Sequence, residues 1–250
     1  RVLEANGFYC LSELGPDAWQ LRVQREKESV EKFGKLLKHA WWFQAVPYVR
    51  ALFVSGSLAL ASAEPTSDFD IFVIAAAERL YTCRAFLSVV ASLLRARRTR
   101  YDSIAPDKFC FNHYITDTSL AIPHESIVTA QIYATLVPMY TRGNEVAAFY
   151  AANPWLNRYL YNFHPARDAV RRSVAPSASL QKIAEFGEMF LGTFVGGWVE
   201  RVLKQWQQRR IRNNPLTYAS GGRSIFNDTQ LEFHPHSFEL GLIAGYNEQI

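Results

Sequence analysis

Cysteine is scarce in this chain: only Cys10, Cys83 and Cys110 occur among its 250 residues. They are scattered, and no C-x-x-C pair or Cys/His pair has the spacing of metal ligands, which argues against a zinc site. An odd number of cysteines without a disulfide framework is typical of a reducing compartment. We therefore expect a cytoplasmic protein.

A long apolar run is also missing. The longest stretch that resembles a membrane span, MFLGTFVGGWV at 189–199, has eleven residues and lies between Glu188 and Glu200. A spanning helix needs about 20 apolar residues, and no signal peptide is visible at the start of the chain. The sequence therefore predicts no membrane association. The first residue is Arg1 and not Met, which leaves open whether the N-terminus is truncated.

The charge is only mildly unbalanced, with 27 Lys and Arg against 23 Asp and Glu and a net charge of +4. This balance fits an anionic ligand such as a nucleotide but does not require nucleic acid. With 49% hydrophobic residues, the composition is that of a globular protein. The length allows one large domain or two small ones.

Hydrophobic periodicity predicts a mixture of helices and strands. Predicted helices cover 24–45, 78–98, 123–138, 144–151 and 180–210; predicted strands cover 49–56, 68–75 and 108–116. A hairpin is expected within 7–23 around a Gly-Pro-Asp turn, a loop at 168–179, and short strands within 223–235. Four glycines in the last helix favour close packing in the core. The pattern predicts an α+β fold: a small mixed sheet with helices, followed by a helical second half.

The most informative stretch is VSGSLALASAEPTSDFDIFVIA, residues 54–75. Alternation along a strand predicts that Asp68 and Asp70 project to the same face. Two adjacent carboxylates repel each other unless a cation lies between them. Mg²⁺ binds through one or two carboxylates and leaves room for phosphate oxygens. We therefore predict that Asp68 and Asp70 are ligands of Mg²⁺, with Mn²⁺ as the alternative.

The Gly-Ser turn in the same stretch has the features of a phosphate site. Gly56 lets the backbone approach a ligand closely, and Ser57 opens a short predicted helix whose N–H groups and hydroxyl can bind an anion. Ser67, just before the aspartates, is predicted to contribute to the same site. A Gly-Ser turn or a D-x-D pair alone is common, whereas the two at this spacing are more specific.

This combination resembles the signature of the DNA polymerase β-type nucleotidyltransferase superfamily, in which G-S precedes D-h-D by about a dozen residues. The chain further resembles a bacterial family of predicted nucleotidyltransferase-domain proteins of undefined substrate. The segments that carry this similarity are GFYCL, VPYVRALFVSGSLAL, SDFDIFVIAAAERLYTCRAF, FCFNHYIT, VTAQIYATLVPMY, ANPWLNRYLYNF and QQRRIRNNP. They cover most of residues 7–236.

The resemblance implies that Gly56 and Ser57 hold phosphates and that Asp68 and Asp70 bind Mg²⁺. It also implies a nucleotidyltransferase domain, which we place at 24–166. Residues 1–23 would then be a remnant of a winged-helix-like segment, and residues 167–250 a C-terminal, mainly helical domain.

One position departs from the superfamily pattern, which has a third carboxylate on a later strand. In the matching strand FCFNHYI, alternation places Cys110, Asn112 and Tyr114 on one face, so Asn112 occupies the tentative third catalytic position. An amide can coordinate metal but cannot take a proton. His113 points to the other face unless a twist or bulge turns it, and Asp102, Asp107 and Asp117 in the flanking loops are further candidates.

The predicted function is Mg²⁺-dependent transfer of a nucleoside monophosphate from an NTP, ATP being favoured, to an acceptor hydroxyl, with release of pyrophosphate. A small molecule such as an antibiotic, a protein side chain and an RNA 3′ end are all open as acceptor, and the oligomeric state is open too. Asn112 motivates an alternative: a non-catalytic nucleotide-binding or regulatory protein. The basic stretch 199–212 motivates another, a nucleic-acid-binding protein.

Two further groups have competing interpretations. The arginines within 95–100 could reach phosphates or form a solvated helix end. Trp155 and Tyr161 could stack on a substrate, but packing in the core is favoured for both.

Overall fold

A computed structural model describes residues 1–15, 17–99, 101–102, 104–165, 172–234 and 239–247. The strands are β1 (Val2–Ala5), β2 (Phe8–Leu11), β3 (Val49–Val54), β4 (Phe69–Ala75), β5 (Phe109–Thr116), β6 (Val137–Thr141), β7 (Arg223–Phe226) and β8 (Gln230–His234). The α-helices are α1 (Ala18–Ala40), α2 (Gly56–Ala59), α3 (Leu80–Leu93), α4 (Ile127–Ala134), α5 (Glu145–Ala152), α6 (Leu156–Tyr159), α7 (Ala178–Leu191), α8 (Phe194–Arg212) and α9 (Glu239–Asn247). The predicted α+β class is confirmed.

Six of the strands form one mixed sheet in the order β6-β3-β4-β5-β8-β7. Only β4 and β5 are parallel, and helix α3 connects them. The other neighbours in this sheet are antiparallel. The central strands β3 and β4 are almost entirely buried, which explains why both are near-continuous apolar runs. The two aspartates at the start of β4 interrupt this run.

The two faces of the sheet carry two separate cores. On one face, Ile71 and Val73 of β4 belong to a large cluster that includes residues of α1 and α3. On the other face, Phe72 and Ile74 pack with residues of α4, α5 and α6. Because side chains alternate along β4, Asp70 belongs to the second face. The first core therefore supports the site from behind.

The N-terminal hairpin differs from the prediction in its position. Its strands are β1 and β2, joined at Asn6 and Gly7, both of which have positive φ angles of 52° and 80°. Asn-Gly is the preferred pair for such a two-residue hairpin turn. The Gly-Pro-Asp segment instead precedes α1, which begins at Ala18 and not at residue 24. Whether residues 1–23 are a winged-helix remnant stays a prediction.

The predicted helix 123–138 is wrong at both ends. Helix α4 begins after a capping box in which Ser126 and Thr129 bond to each other's backbone N–H groups, and it ends at Ala134. Residues Val137–Thr141 form β6, which pairs only with β3. Pro138 is tolerated there because β6 lies at the sheet edge, where one side of a strand needs no donor.

The predicted helix 180–210 is two helices, α7 and α8, separated at Gly192 and Thr193. A Cβ on Gly196 would lie 1.5 Å from the Leu191 carbonyl oxygen, so the chain can fold back here only with glycine. The prediction that this segment is core holds for one side of each helix only. Many of its large apolar side chains face solvent.

The part of the chain after residue 172 is tied into the main sheet. Strand β8 pairs with β5, and Glu188 of α7 accepts hydrogen bonds from Tyr48 N and from Arg50 and Arg142. Glu200 of α8 accepts from the backbone N–H groups of Tyr81 and Thr82 at the start of α3. The domain boundary predicted at 166/167 lies outside the described residues and stays a prediction.

None of the helices in the described part of the chain is both long and apolar enough to cross a membrane.

Candidate metal centre and phosphate-binding turn

The Gly-Ser turn lies directly against the second aspartate. Ser55, just after β3, donates its backbone N–H to the Asp70 carbonyl oxygen at 2.9 Å, and Gly56 follows with a φ of +66°. A Cβ at Gly56 would lie 2.6 Å from Asp70 Oδ2. Glycine is therefore required twice, for its left-handed backbone and for the space that the carboxylate occupies. The turn and Asp70 form one unit, as the sequence spacing predicts.

Asp68, Asp70 and Cys110 form a group that could hold a metal ion. One oxygen from each aspartate and the Cys110 Sγ all lie within 4.8 Å of one another. The parallel pairing places Asp70 in register with Cys110 of β5, which explains the position of the thiol. The carboxylate oxygens suit Mg²⁺, whereas a thiolate is a ligand for softer metals.

The electrostatics favour the two carboxylates over the thiol as ligands. Burial raises the pKa of Asp70, and the Asp68 carboxylate raises it further, to about 7. Burial also raises the pKa of the Cys110 thiol, and both aspartates add to the effect. The thiol is therefore protonated at neutral pH, whereas Asp70 is poised to lose its proton to a cation.

Arg98 supplies positive charge at this site. Its Nη1 donates to Asp68 Oδ2 at 2.5 Å. Burial acts to lower the pKa of Arg98, but the Asp68 carboxylate outweighs burial and raises that pKa. The arginines within 95–100 are predicted either to reach the site or to form a solvated helix end. Arg98 reaches the site through Asp68. Arg100 lies outside the described residues.

Asn112 contacts Asp70 as a donor. Its Nδ2 donates to Asp70 Oδ1 at 2.9 Å, so the amide orients the carboxylate. A bulge lies beside it: Asp70 is in register with Cys110, but Phe72 is in register with His113, which gives β5 one extra residue. The bulge brings the His113 ring against Phe72, with ring centroids 4.9 Å apart.

The predicted grouping of Cys110, Asn112 and Tyr114 on one face is therefore wrong for Tyr114. It lies in the core on the other face with Val73. His113 shares the site face through the bulge, but its two ring nitrogens lie 3.3 Å from the Tyr133 hydroxyl and from the Gln230 amide. Burial holds the pKa of His113 well below its usual range, so it is a neutral, buried residue.

The three loop aspartates do not replace a third carboxylate. Asp107 pairs with Lys32 and Lys35, and Asp117 accepts from the Ala77 backbone N–H. Asp102 accepts from the Thr99 backbone N–H. Within the described ranges, the group of possible metal ligands around Asp68 contains none of them.

Helix α1 braces the loop between the turn and the aspartates. Ser57 Oγ lies 3.4 Å from Ser67 Oγ, which accepts from the Glu64 backbone N–H. The carbonyl oxygen of Ser67 accepts from the ammonium group of Lys32, a residue only 1% exposed, at 3.0 Å. Lys32 also donates to the Pro65 carbonyl and to Asp107. The loop therefore has a fixed position relative to β4.

A small cavity of about 30 Å³ adjoins Asn112, large enough for one or two water molecules. Its lining includes Ser55, Asn112, Glu232 and His234. Glu232 is held by Arg223 at 2.7 Å, and His234 Nε2 lies 3.6 Å from Glu232 Oε1. Burial lowers the pKa of His234, so its ring is neutral at pH 7.

Sequence reasoning identified the turn, both aspartates and the basic segment that contains Arg98. It missed Cys110 as a neighbour of the aspartates, and it missed Glu232 and His234. Cys110 could have been found from the parallel pairing of β4 and β5, since it stands opposite Asp70. The β8 residues carry no local signal, because a distant hairpin brings them in.

The remaining predictions have mixed outcomes. Trp155 is buried, as predicted, whereas Tyr161 is 91% exposed and does not pack in the core. In the basic stretch 199–212, Lys204 pairs with Asp228. Nucleic-acid binding by this stretch stays a prediction.

Comparison of the chain with protein-family models, with curated proteins and with solved structures gives no match. The superfamily resemblance therefore rests on the sequence motifs alone.

Proposed function

We propose that this protein is a Mg²⁺-dependent nucleotidyltransferase that moves a nucleoside monophosphate from an NTP to an acceptor hydroxyl and releases pyrophosphate. The observation that carries the proposal is the contact between Gly56 and the Asp70 carboxylate. It puts the backbone of the Gly-Ser turn directly against one of a pair of carboxylates. Such a pair of subsites suits a triphosphate and its metal ion.

In this proposal Asp68 and Asp70 hold Mg²⁺, and the backbone N–H groups and hydroxyl at Gly56 and Ser57 hold phosphate oxygens. The N–H groups at a helix start have no partner within the helix, which leaves them available to an anion. The metal would neutralise phosphate charge and align the reacting oxygens. Arg98, which donates to Asp68, would add positive charge beside the phosphates.

The protein's own contribution is positioning and charge. Asn112 orients Asp70 through its 2.9 Å hydrogen bond and supplies no base. The acceptor proton therefore goes to a group outside β5. We assign this role to His234, since its neutral ring lines the cavity that adjoins Asn112 and Ser55.

The test is release of pyrophosphate from Mg·ATP in the presence of a panel of hydroxylated acceptors. We expect that Asp68→Asn and Asp70→Asn each lower the rate at least about 100-fold, since each removes charge from the centre. Glu31→Gln, an exposed carboxylate on α1, serves as the matched control and should leave the rate unchanged. Equal rates in all four proteins would exclude the proposal.

Asn112 favours a second candidate, a nucleotide-binding regulator without turnover. It predicts that Mg·ATP binds to the wild type, that Asp70→Asn weakens this binding, and that no acceptor gives pyrophosphate. Turnover by the wild type separates the two candidates. If the protein is an enzyme, His234→Asn should lower turnover and retain Mg·ATP binding; unchanged turnover would exclude His234 as the base.

A further inference from the structure

The consecutive helices α7 and α8 expose a series of large apolar side chains to water. On α7, Ile183, Phe186 and Phe190 recur at spacings of three and four, and on α8 the series continues with the same periodicity. We call this set the α7–α8 apolar face; its nine residues are between 42% and 85% exposed. They are Ile183, Phe186, Met189, Phe190, Phe194, Val195, Trp198, Val202 and Trp206.

This exposed surface is large for a single chain. A buried aromatic side chain covers about 150–250 Å², and five of the nine residues are aromatic and more than half exposed. Together, over the two consecutive helices, they leave on the order of 600 Å² of aromatic surface in water, an amount comparable with the largest apolar patch on a typical monomer, roughly 300–600 Å². The α7–α8 apolar face therefore needs a partner.

The charges beside this face point to an anionic partner. Among the described residues, five cations on α7 and α8 form no ion pair with a carboxylate; they are Lys182, Arg201, Arg209, Arg210 and Arg212. Arg210 lies over the Trp206 ring, 4.8 Å from its centroid. By contrast, Glu188 and Glu200 on these helices are occupied by Arg50 and by the backbone of α3. The exposed acid on the two helices is Glu185.

We propose that the α7–α8 apolar face binds peripherally to a membrane surface that carries anionic lipids. An apolar helix face rich in Phe and Trp, bordered by Lys and Arg, can lie in the headgroup region without crossing the bilayer. The proposal departs from the sequence-based prediction of no membrane association, which considered only membrane-spanning segments and signal peptides. The proposal does not depend on the proposed enzymatic function, because none of these residues belongs to the candidate site.

Two other partners fit the observations less well. A second copy of the chain would bring five unpaired cations of one protomer toward five of the other, which disfavours pairing. A nucleic acid would use the arginines and the aromatic rings, since bases stack on rings. A nucleic acid would gain no binding energy from Ile183, Met189, Val195 and Val202, which make up much of the α7–α8 apolar face.

The experiment is co-sedimentation of the full chain with vesicles. We expect binding to vesicles of equal parts phosphatidylcholine and phosphatidylserine, and little binding to pure phosphatidylcholine. Phe194→Glu combined with Trp198→Glu should weaken binding at least about 100-fold, because it places charge in the apolar layer. Arg209→Glu combined with Arg210→Glu should weaken it at least about tenfold, since each cation near an anionic surface contributes about fivefold.

Matched controls lie on α1. Val30→Glu removes an exposed apolar side chain, and Lys38→Glu reverses an exposed cation; neither should change vesicle binding. Phe194 is 85% exposed, so its substitution should leave the fold intact, which circular dichroism and the melting temperature verify. A blue shift of tryptophan emission on vesicle addition, lost in Trp198→Phe with Trp206→Phe while sedimentation persists, would place these rings in the bilayer.

The proposal is overturned if the wild type does not sediment with anionic vesicles, or if the Phe194/Trp198 variant sediments equally well. A concentration-dependent dimer that this variant converts to monomer, without vesicle binding, would assign the face to a second copy. Salt-sensitive binding to single-stranded RNA that the same variant loses, again without vesicle binding, would assign it to nucleic acid.

Discussion

At the scale of single residues, the candidate site depends on the contact between Gly56 and Asp70. The φ of +66° at Gly56 and the 2.6 Å between its absent Cβ and Asp70 Oδ2 leave no room for a side chain. The turn can therefore present its backbone to a ligand and still touch the carboxylate. The contact therefore explains in physical terms why glycine is required at this position.

Gly56→Ala tests this contact. Because a left-handed backbone costs a non-glycine residue about 1–2 kcal/mol and the methyl group must displace Asp70, we expect a loss of about 2 kcal/mol in unfolding free energy. We also expect Mg·ATP affinity to fall at least about tenfold. The control is Gly34→Ala on α1, where nothing lies within 4 Å; it should stabilise the protein by about 1 kcal/mol.

Chemical denaturation and calorimetric titration measure these two quantities. If Gly56→Ala resembled Gly34→Ala in both, the close approach of turn and carboxylate would not matter for stability or for binding.

The pKa of Asp70 predicts an unusual pH dependence. The group has a pKa of about 7 in the folded protein against 3.8 in the unfolded chain. Between about pH 4 and pH 7 the unfolded chain loses this proton first, so the contribution of Asp70 to stability falls as pH rises. The variant Asp70→Asn mimics the protonated acid, so at pH 4 the wild type and this variant should have about the same free energy of unfolding. The wild type should be less stable by on the order of 2–4 kcal/mol at pH 8.

Saturating Mg²⁺ should reverse the difference in stability between the wild type and Asp70→Asn at pH 8. The metal replaces the proton, so its affinity for the wild type should rise from pH 6 to pH 8, and Asp70→Asn should not respond. Melting temperatures of both proteins across this range, with and without Mg²⁺, provide the measurement. Parallel curves in the absence of metal would contradict the raised pKa.

Some site residues could be predicted from the sequence, and others could not. Asp68, Asp70, Gly56 and Ser57 lie within one short stretch, so alternation and spacing suffice to place them together. Asn112 lies on the face that alternation predicts and contacts Asp70, but the bulge in β5 breaks the alternation before Tyr114, two residues later. Arg98 contacts Asp68 only because the chain after α3 returns to the start of β5, which no local pattern encodes.

At the scale of elements, Lys32 connects α1 to the loop that separates turn and aspartates. Its ammonium group is buried and donates to two carbonyl oxygens and Asp107. Lys32→Met leaves these acceptors without a donor. We therefore expect the free energy of unfolding to fall by about 3 kcal/mol and nucleotide binding to weaken. Lys35→Met is the control, because Lys35 also binds Asp107 but is 52% exposed; it should cost less than about 1 kcal/mol.

Denaturant unfolding of both variants checks the difference. Equal losses for Lys32→Met and Lys35→Met would mean that the buried network does not brace the loop.

The elements themselves were predictable to different degrees. Strands β3, β4 and β5 were placed to within two residues because their buried runs are apolar and bounded by polar residues. Strand β6 was missed because VPMYT follows directly on helix α4 and contains proline. The break between α7 and α8 was missed because the apolar pattern continues across Gly192, although half of it faces water.

At the scale of the whole molecule, the part of the chain after residue 172 contains helices α7, α8 and α9 and adds strands β7 and β8 to the main sheet. Glu188 contributes to this attachment, since one carboxylate accepts from Tyr48 N, Arg50 and Arg142. We therefore expect a single cooperative unfolding transition by circular dichroism and by tryptophan fluorescence. Two separate transitions would support a separate C-terminal domain.

Glu188→Gln should lower the midpoint of the unfolding transition without splitting it. The free energy of unfolding should fall by about 2 kcal/mol, because two arginines lose their shared counter-charge. Glu185→Gln, three residues earlier on the exposed side of α7, should have almost no effect.

The central claim is that the Gly-Ser turn and the two aspartates form one site for a metal-bound nucleoside triphosphate. Calorimetric titration of the wild type and of the Asp68→Asn/Asp70→Asn double variant with a non-hydrolysable ATP analogue and Mg²⁺ tests it most directly. We expect saturable binding to the wild type, dependent on Mg²⁺, and at least about 100-fold weaker binding to the double variant. Equal affinity in the two proteins, or wild-type binding that is unaffected by removal of Mg²⁺, would contradict the claim.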